Sequence, residues 1–119
     1  MHILLIEDHK SLTLAITAML SAHTVHHAGT FVAATDALAN VRPKFDFVVS
    51  DIMFPGKFIT DPPEPLGLEI AELCQEMAIP FLLMTGSESL FDQAIDRHYC
   101  VLRKPFGMDT LLDVVEMEG

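Results

Sequence analysis

Residues 45–55, FDFVVSDIMFP, decide the fold that this chain can adopt. An apolar run with β-branched valines ends at a single carboxylate, Asp51, and a turn-forming Pro55-Gly56 follows. Such a run is typical of a strand buried in a parallel sheet. Because ligands bind at the carboxyl ends of strands in open parallel sheets, Asp51 is predicted to lie in a reactive crevice. An isolated Asp before a proline-containing loop is more often a turn or cap residue, so the rest of the chain has to decide between these roles.

The composition describes one acidic, folded domain covering residues 1–119, with half of its residues apolar and a fifth charged. The net charge of −10 repels a phosphate backbone, so direct binding of nucleic acid is not expected. The apolar run near the start is too short for a signal peptide or a membrane span, which predicts a cytoplasmic protein without membrane contact. Cys74 and Cys100 lack CxxC spacing and are predicted to be reduced, buried thiols.

Five strand-then-helix units follow one another along the chain. Apolar runs predict strands at residues 1–6, 24–28, 45–50, 81–84 and 99–102. Apolar residues at helical spacing predict helices at about 11–20, 31–41, 66–77, 88–95 and 108–117. Thr30 and Ser87 are predicted N-caps, and Pro43 is predicted to close the helix that carries Val41. Right-handed crossovers between uniformly apolar strands then give a doubly wound α/β sheet with helices on both faces.

Polar residues follow four of these strands, namely Glu7-Asp8, Asp51, Thr85 and Lys104. In a parallel sheet they converge on one edge, where clustered carboxylates need a counterion. Mg²⁺ suits an open site with one or two carboxylates. With Lys104 as a mobile cation and Thr85 as a hydroxyl, such a site fits a phosphoryl group, which a carboxylate could accept as an aspartyl phosphate.

Four segments resemble those of CheY-like response-regulator receiver domains of two-component signalling systems. They are LLIED at 4–8, VVSDIMFPG at 48–56, LLMTG at 82–86 and RKPF at 103–106. Their order and spacing carry the resemblance, which covers essentially the whole chain. It implies a flavodoxin-like, five-stranded parallel sheet in the order 2-1-3-4-5. It also implies a protein that is not an enzyme beyond Mg²⁺-dependent self-phosphorylation and autodephosphorylation.

The resemblance also implies a role for each matching residue. Asp51 would be the phospho-acceptor, and Asp8 would bind Mg²⁺ directly beside it. Glu7 would act on the metal largely through water, and the backbone carbonyl of Met53 would be a further ligand.

Two further roles concern the switch. Thr85 would be the hydroxyl that turns toward the new phosphate, and Lys104 would pair with that phosphate. The Lys104-Pro105 bond is usually cis in the family, which the reduced penalty at proline permits here.

The chain departs from the family pattern at several positions. Val101 stands where an aromatic ring is usual, with Tyr99 two residues earlier, so coupling through an aromatic rotamer is in doubt. Gly86 replaces a common Ala after the switch hydroxyl and would leave the site more open. The glycine expected soon after the acceptor is Gly67, which implies an insertion of about eight residues. A short spacing from Thr85 to the lysine implies a trimmed fourth helix.

The insertion lies within residues 54–65, FPGKFITDPPEP, where four prolines and a glycine predict a loop. It could act as a lid or partner-docking surface that changes the lifetime of the phosphoryl group. It could equally be a tolerated surface loop that folds its own aromatics inward.

The histidines form two separate features. His23, His26 and His27 resemble a zinc motif, but they bracket a short strand with alternating faces and have no nearby Cys, so a metal site is not expected there. His9 follows the acid pair directly, which predicts an effect of pH on Mg²⁺ affinity near neutrality.

Two functions remain open. In the first, a histidine kinase or phosphotransfer protein phosphorylates Asp51, and the chain then changes its affinity for a downstream protein, with homodimerisation as one outcome. In the second, a receiver-like module docks or dimerises without phosphorylation. A haloacid-dehalogenase-like phosphatase is disfavoured because Met53 stands where its second Asp would be, and a flavin carrier because Glu7-Asp8 would repel the cofactor's phosphate.

Overall fold

A computed structural model describes residues 1–40, 42 and 44–119. Parallel strands and helices alternate along this part of the chain. They are β1 (His2–Ile6), α1 (Lys10–Met19), β2 (Thr24–Ala28), α2 (Phe31–Ala39), β3 (Phe47–Asp51), α3 (Gly67–Met77), β4 (Phe81–Thr85), α4 (Glu88–Asp96), β5 (Val101–Arg103) and α5 (Met108–Glu118). The strands form one sheet in the order β2-β1-β3-β4-β5, which confirms the predicted doubly wound fold.

Alternation of side chains along the central strands divides the core into two layers. Ile3 and Leu5 of β1 pack with Ile16 of α1 and Leu111 of α5 on one face of the sheet. Their neighbours in the same strand pack on the other face with α2 and α3, in a cluster that includes Leu4, Ile6, Leu38, Val48 and Ile70. Apolar burial on both faces is what holds the three central strands in a parallel sheet.

The strand register brings the polar residues to one edge. Ile6 pairs with Ser50, and Thr85 pairs with Arg103, so Glu7 and Lys104 each begin a loop at the carboxyl edge. Asp51 pairs with Met84 and is the last residue of β3. The polar residues that end or follow these four strands therefore lie at one edge of the sheet, as predicted, because of the strand register.

The side-chain oxygens of Thr30 and Ser87 accept hydrogen bonds from Ala33 N and Leu90 N, at 3.1 and 3.2 Å, which confirms both predicted N-caps. The predicted helix residue Val41 and the predicted terminator Pro43 lie outside the described residues. The Lys104-Pro105 peptide bond is cis, as the resemblance implied.

Three expectations about strands were wrong. The fifth strand starts at Val101 because Tyr99 N donates to Ala94 O and so belongs to the turn that ends α4. The third starts at Phe47 rather than at Phe45, whose ring packs edge-on against His26. The strands are not uniformly apolar and buried, because the edge strand β2 has one buried residue, two half-buried residues and two exposed residues.

Residues 54–65 lie in the loop between β3 and α3 and contribute no strand to the sheet and no helix, as predicted. Gly67 follows this loop as the first residue of α3, and a Cβ atom there would collide with the carbonyl of Asp51 and the Cα of Ile52. This close approach explains why a glycine is needed at the start of α3, although a long loop separates it from β3. Within the described ranges, every helix is too short or too polar to cross a membrane.

Candidate functional site

Lys104 connects two carboxylates at the carboxyl edge of the sheet. Its Nζ donates to Asp51 Oδ2 at 3.0 Å and to Glu7 Oε1 at 3.3 Å. Asp51 is only 6% exposed and Glu7 is fully buried, so both carboxylates have lost most of their hydration. A single ammonium group therefore faces two desolvated acids, and it can neutralise only one of them.

The excess negative charge of this cluster affects the pKa of Glu7. Burial, with the adjacent Asp51 carboxylate acting in the same direction, raises the pKa of Glu7 to about 8, although Lys104 opposes the shift. In the absence of another cation, burial beside Asp51 therefore favours the protonated form of Glu7. A proton on Glu7 would thus offset the negative charge for which the sequence predicted a counterion.

Four residues around this point could hold a metal ion. One potential ligand atom from each of Glu7, Asp8, His9 and Asp51 lies within 4.8 Å of the others. Among the residues that the structure describes, Glu7 Oε2 is buried without a hydrogen-bond partner, and His9 Nδ1 lies 3.3 Å from Asp8 Oδ1. A buried carboxylate oxygen without a donor favours a cation at this place, so the three carboxylates of this set fit a hard divalent ion.

Thr85 lies on the other side of the cluster and is buried. Its hydroxyl oxygen accepts a hydrogen bond from Ser87 N at 3.1 Å, in the turn that starts α4. Within the described part of the chain, no hydrogen bond joins Thr85 to Asp51. The structure thus brings Lys104, Asp51 and Glu7 into contact and leaves Thr85 bonded to its own loop.

Met53 lies in the loop after β3, two residues after Asp51, and it is half-buried. The metal role that the resemblance implies for its carbonyl stays a prediction.

An arginine takes part in the contact between β5 and α4, where the family pattern has an aromatic residue nearby. Arg103 makes two bonds to the Glu88 carboxylate, Nε to Oε1 at 2.8 Å and Nη2 to Oε2 at 3.2 Å. Its guanidinium also lies 4.2 Å from the centre of the Phe91 ring. The half-buried Val101 lies two positions before Arg103 on the same strand. The departure from the family pattern at Val101 is therefore close to a polar and cation-π link to the fourth helix.

The three histidines of the HxxHH segment point to different partners. His26 Nε2 lies 3.1 Å from His2 Nδ1, whereas His23 Nδ1 lies 3.2 Å from the amino group of Met1. His27 Nε2 donates to the Glu7 carbonyl at 2.6 Å. The structure does not gather the three into one cluster, and it assigns His27 instead to the acid-bearing loop.

Sequence reasoning missed two features of the site. It did not assign His27 to the Glu7 main chain, and it did not pair Lys104 with Glu7. The four segments that carry the resemblance contain no signal for either contact, because each depends on where β2 and the loop after β5 are placed by the sheet. A histidine at the end of the strand adjacent to β1 was the only available hint.

The comparisons with known proteins concern the fold. No family model matches the chain, and no curated protein matches it. The chain is similar to a receiver domain protein of a response regulator from Clostridium thermocellum, with a TM-score of 0.78, 19% identity, and coverage of 98% of this chain and 92% of that one. It is also similar to the signal receiver domain of an HD domain-containing protein from Pseudomonas fluorescens Pf-5, with a TM-score of 0.77, 25% identity, and the same two coverages.

A third similar structure is chemotaxis protein CheY4 from Vibrio cholerae, with a TM-score of 0.73 and 20% identity over 99% of this chain and 98% of that one. At these identities the likeness establishes the fold. The fold that the four sequence segments implied is therefore confirmed over nearly the whole chain.

Proposed function

Because the chain has the fold of CheY-like response-regulator receiver domains, we propose that it is the receiver of a two-component phosphorelay. In this role Asp51 accepts a phosphoryl group from a histidine kinase or phosphotransfer protein, and the phosphorylated chain binds a downstream protein differently. The observation that carries the proposal is the contact of Lys104 Nζ with Asp51 Oδ2, at 3.0 Å, beside a buried acid with an unpaired oxygen.

The reaction is a transfer between two side chains. An oxygen of the Asp51 carboxylate forms a bond to phosphorus while the bond from phosphorus to the donor's imidazole nitrogen breaks. The imidazole leaves with the bonding electrons and takes a proton from solvent. The Lys104 ammonium group pairs with the negative oxygens that develop on the transferring group.

Asp8, Asp51 and the Met53 carbonyl are the proposed ligands of Mg²⁺, with Glu7 acting largely through water. When bound, Mg²⁺ would neutralise oxygens of the carboxylates and of the phosphoryl group. Glu7 has to give up its proton to contribute a full negative charge, because its pKa is raised to about 8. The proposed activity of the chain itself is limited to self-phosphorylation and autodephosphorylation.

Thr85 is the proposed switch residue. Its hydroxyl oxygen accepts a hydrogen bond from Ser87 N, and a hydroxyl that accepts one bond can still donate its hydrogen to a phosphoryl oxygen. Movement of Thr85 toward Asp51 would disturb that bond and the start of α4. Partner affinity would then change through α4 and its link to Arg103 rather than through an aromatic ring.

The second candidate is a receiver-like module that docks or dimerises without phosphorylation. Val101 at the usual aromatic position and the insertion beside Asp51 favour it. Retention of all the acid, hydroxyl and lysine positions favours the phosphorelay. In either case a cytoplasmic location and the absence of direct contact with nucleic acid or membrane are part of the proposal.

Intact-mass spectrometry separates the two candidates. The chain is incubated with Mg²⁺ and acetyl phosphate, with Asp51→Ala as the control. A gain of one phosphoryl mass that requires both Mg²⁺ and Asp51 supports the phosphorelay. An unchanged mass under conditions that preserve the fold would favour the phosphorylation-independent module.

A further inference from the structure

The insertion is held in one conformation by its own hydrogen bonds. Phe54 and Glu64 form an antiparallel bridge, with two N–H to O bonds of 3.1 Å. Inside the bridge, Asp61 Oδ2 accepts from Phe58 N at 2.8 Å and from Lys57 N at 3.3 Å. The loop is therefore closed at its base and capped at its tip.

The insertion is also attached to α2. Phe31 N donates to Pro55 O at 2.9 Å, and Val32 N donates to Gly56 O at 3.0 Å. These are N–H groups of the first turn of α2, which no carbonyl within the helix can satisfy. The loop thus supplies the acceptors that a helix start needs, and this contact fixes its position on the domain.

That position is next to the acid-bearing loop. A Cβ atom built on Gly29, just after β2, would lie 3.6 Å from Ile59 Cδ1 and 3.9 Å from the carbonyl oxygen of Glu7. Ile59 is therefore at the carboxyl edge of the sheet, on the β2 side of Asp51.

Two large apolar side chains of the insertion remain in solvent. Phe54 is fully buried, whereas Phe58 is 59% exposed and Ile59 is 67% exposed. Only one of the two aromatics of the loop folds inward, contrary to the simplest picture of a tolerated surface loop. Exposing two such residues side by side on a fixed loop forfeits burial that each could gain against a partner.

The geometry of Asp51 indicates which partner this is. A protein donor has to bring a phosphohistidine ring to a carboxylate that is 6% exposed, so the donor surface must rest on the loops around the opening. A downstream partner instead has to sense Thr85 or Lys104, and within the described residues the insertion makes no hydrogen bond to either. We propose that Phe58 and Ile59, on the insertion, dock the phosphohistidine-bearing protein that phosphorylates Asp51. The inference rests on the proposed function and names the surface that selects the donor.

The test compares a protein donor with a small one. The double variant Phe58→Ser/Ile59→Ser removes the apolar surface, and Met77→Ser/Ile95→Ser is the matched control. Met77 and Ile95 are also exposed, but they lie near the C-terminal ends of α3 and α4, which parallel crossovers place at the opposite edge of the sheet. The histidine kinase for the test is the one from the source organism that, once phosphorylated, labels the wild type fastest. Each protein is then phosphorylated either by this kinase or by acetyl phosphate.

We expect the rate constant for transfer from the kinase to fall roughly tenfold or more in Phe58→Ser/Ile59→Ser, as for the loss of interface anchors. The control pair should be unaffected, and both variants should accept from acetyl phosphate at the wild-type rate. Equal kinase rates in the wild type and the loop variant would overturn the inference. Labelling of the wild type by acetyl phosphate but by no kinase would also overturn it. A loop variant whose only change is in self-association, measured by gel filtration, would do the same. If acetyl phosphate does not label the wild type, the proposed function fails instead.

Discussion

Lys104 Nζ lies 3.0 Å from Asp51 Oδ2, although the two residues are 53 positions apart in the chain. The contact depends on β3, β4 and β5 being in parallel register, because each residue stands at or just after the end of its strand. Glu7 lies at the end of β1 and is bonded to the same ammonium group at 3.3 Å. The site is therefore a direct product of sheet register, and changes of single side chains can test it.

Replacing Lys104 should slow phosphorylation without unfolding the protein. We expect Lys104→Met to lower the rate of labelling by acetyl phosphate by about a hundredfold, because a preorganised cation at the transferring group is lost. Arg103→Gln removes the neighbouring cation, which faces Glu88 rather than Asp51, and should leave the rate within about twofold. Rates measured by intact mass that fall equally in the two variants would contradict a specific role for Lys104.

Glu7 should make the metal-free protein less stable as the pH rises. Its pKa of about 8 in the folded protein exceeds the ordinary value of 4.5 for a glutamate side chain. Below pH 4.5 the contribution of Glu7 to the free energy of unfolding is fully present. It is lost progressively as the pH rises through 8, because the unfolded chain then loses the proton more readily than the folded one. Glu7→Gln should remove this dependence, which is on the order of a few kcal/mol.

Urea unfolding at several pH values, with a chelator present, measures this effect. The exposed Glu72 on α3 gives the matched control Glu72→Gln, which should keep the wild-type slope of stability against pH. A Glu7→Gln protein with the same slope as the wild type would show that Glu7 ionises normally in the folded state.

Mg²⁺ affinity should increase from pH 6 to pH 8. Negative charge on Glu7 strengthens the site, and the raised pKa of Glu7 means that the metal competes with a proton in this range. Calorimetry in buffers of different ionisation enthalpy should detect proton release on binding, and Asp8→Asn should abolish binding. Retention of the pH profile in Glu7→Gln and its loss in His9→Gln would assign the effect to His9 instead.

Gly67 should tolerate no side chain, because a Cβ atom would strike the main chain of Asp51 and Ile52. We expect Gly67→Ala to lower the free energy of unfolding by roughly 2–3 kcal/mol, as overpacking against rigid backbone does. At Gly56, inside the insertion, the nearest atoms to such a Cβ are 3.7 and 3.8 Å away, so Gly56→Ala should be close to neutral. Equal unfolding midpoints for the two alanine variants would show that the close approach at Gly67 is not required.

The fold could be predicted from the sequence because its signals are local and mutually consistent. Apolar runs fixed the central strands, the capping oxygens of Thr30 and Ser87 fixed two helix starts, and the loop after Asp51 was evident from its prolines. The parallel register of the strands then places the acids and Lys104 together at the carboxyl edge of the sheet. The error at Tyr99 arose because an apolar residue in a helix-ending turn has the same local pattern as the first residue of a strand.

The protonation of Glu7 and the position of the insertion could not be predicted in this way. The pKa of Glu7 depends on complete burial beside Asp51, and composition does not reveal which acid of a pair is buried. The insertion is placed by main-chain bonds from α2 to Pro55 and Gly56, and every residue type except proline can donate such a bond. Both features are determined by tertiary structure, and both lie at the site.

Chemical trapping of the acyl phosphate tests the central claim most directly. The chain is labelled with acetyl phosphate and Mg²⁺, reduced with borohydride, digested, and sequenced by tandem mass spectrometry. Reduction converts an aspartyl phosphate to homoserine, and we predict homoserine at position 51 and aspartate at position 8. Homoserine at any other position, or none in a chain that has gained phosphoryl mass, would contradict the assignment of Asp51 as the acceptor.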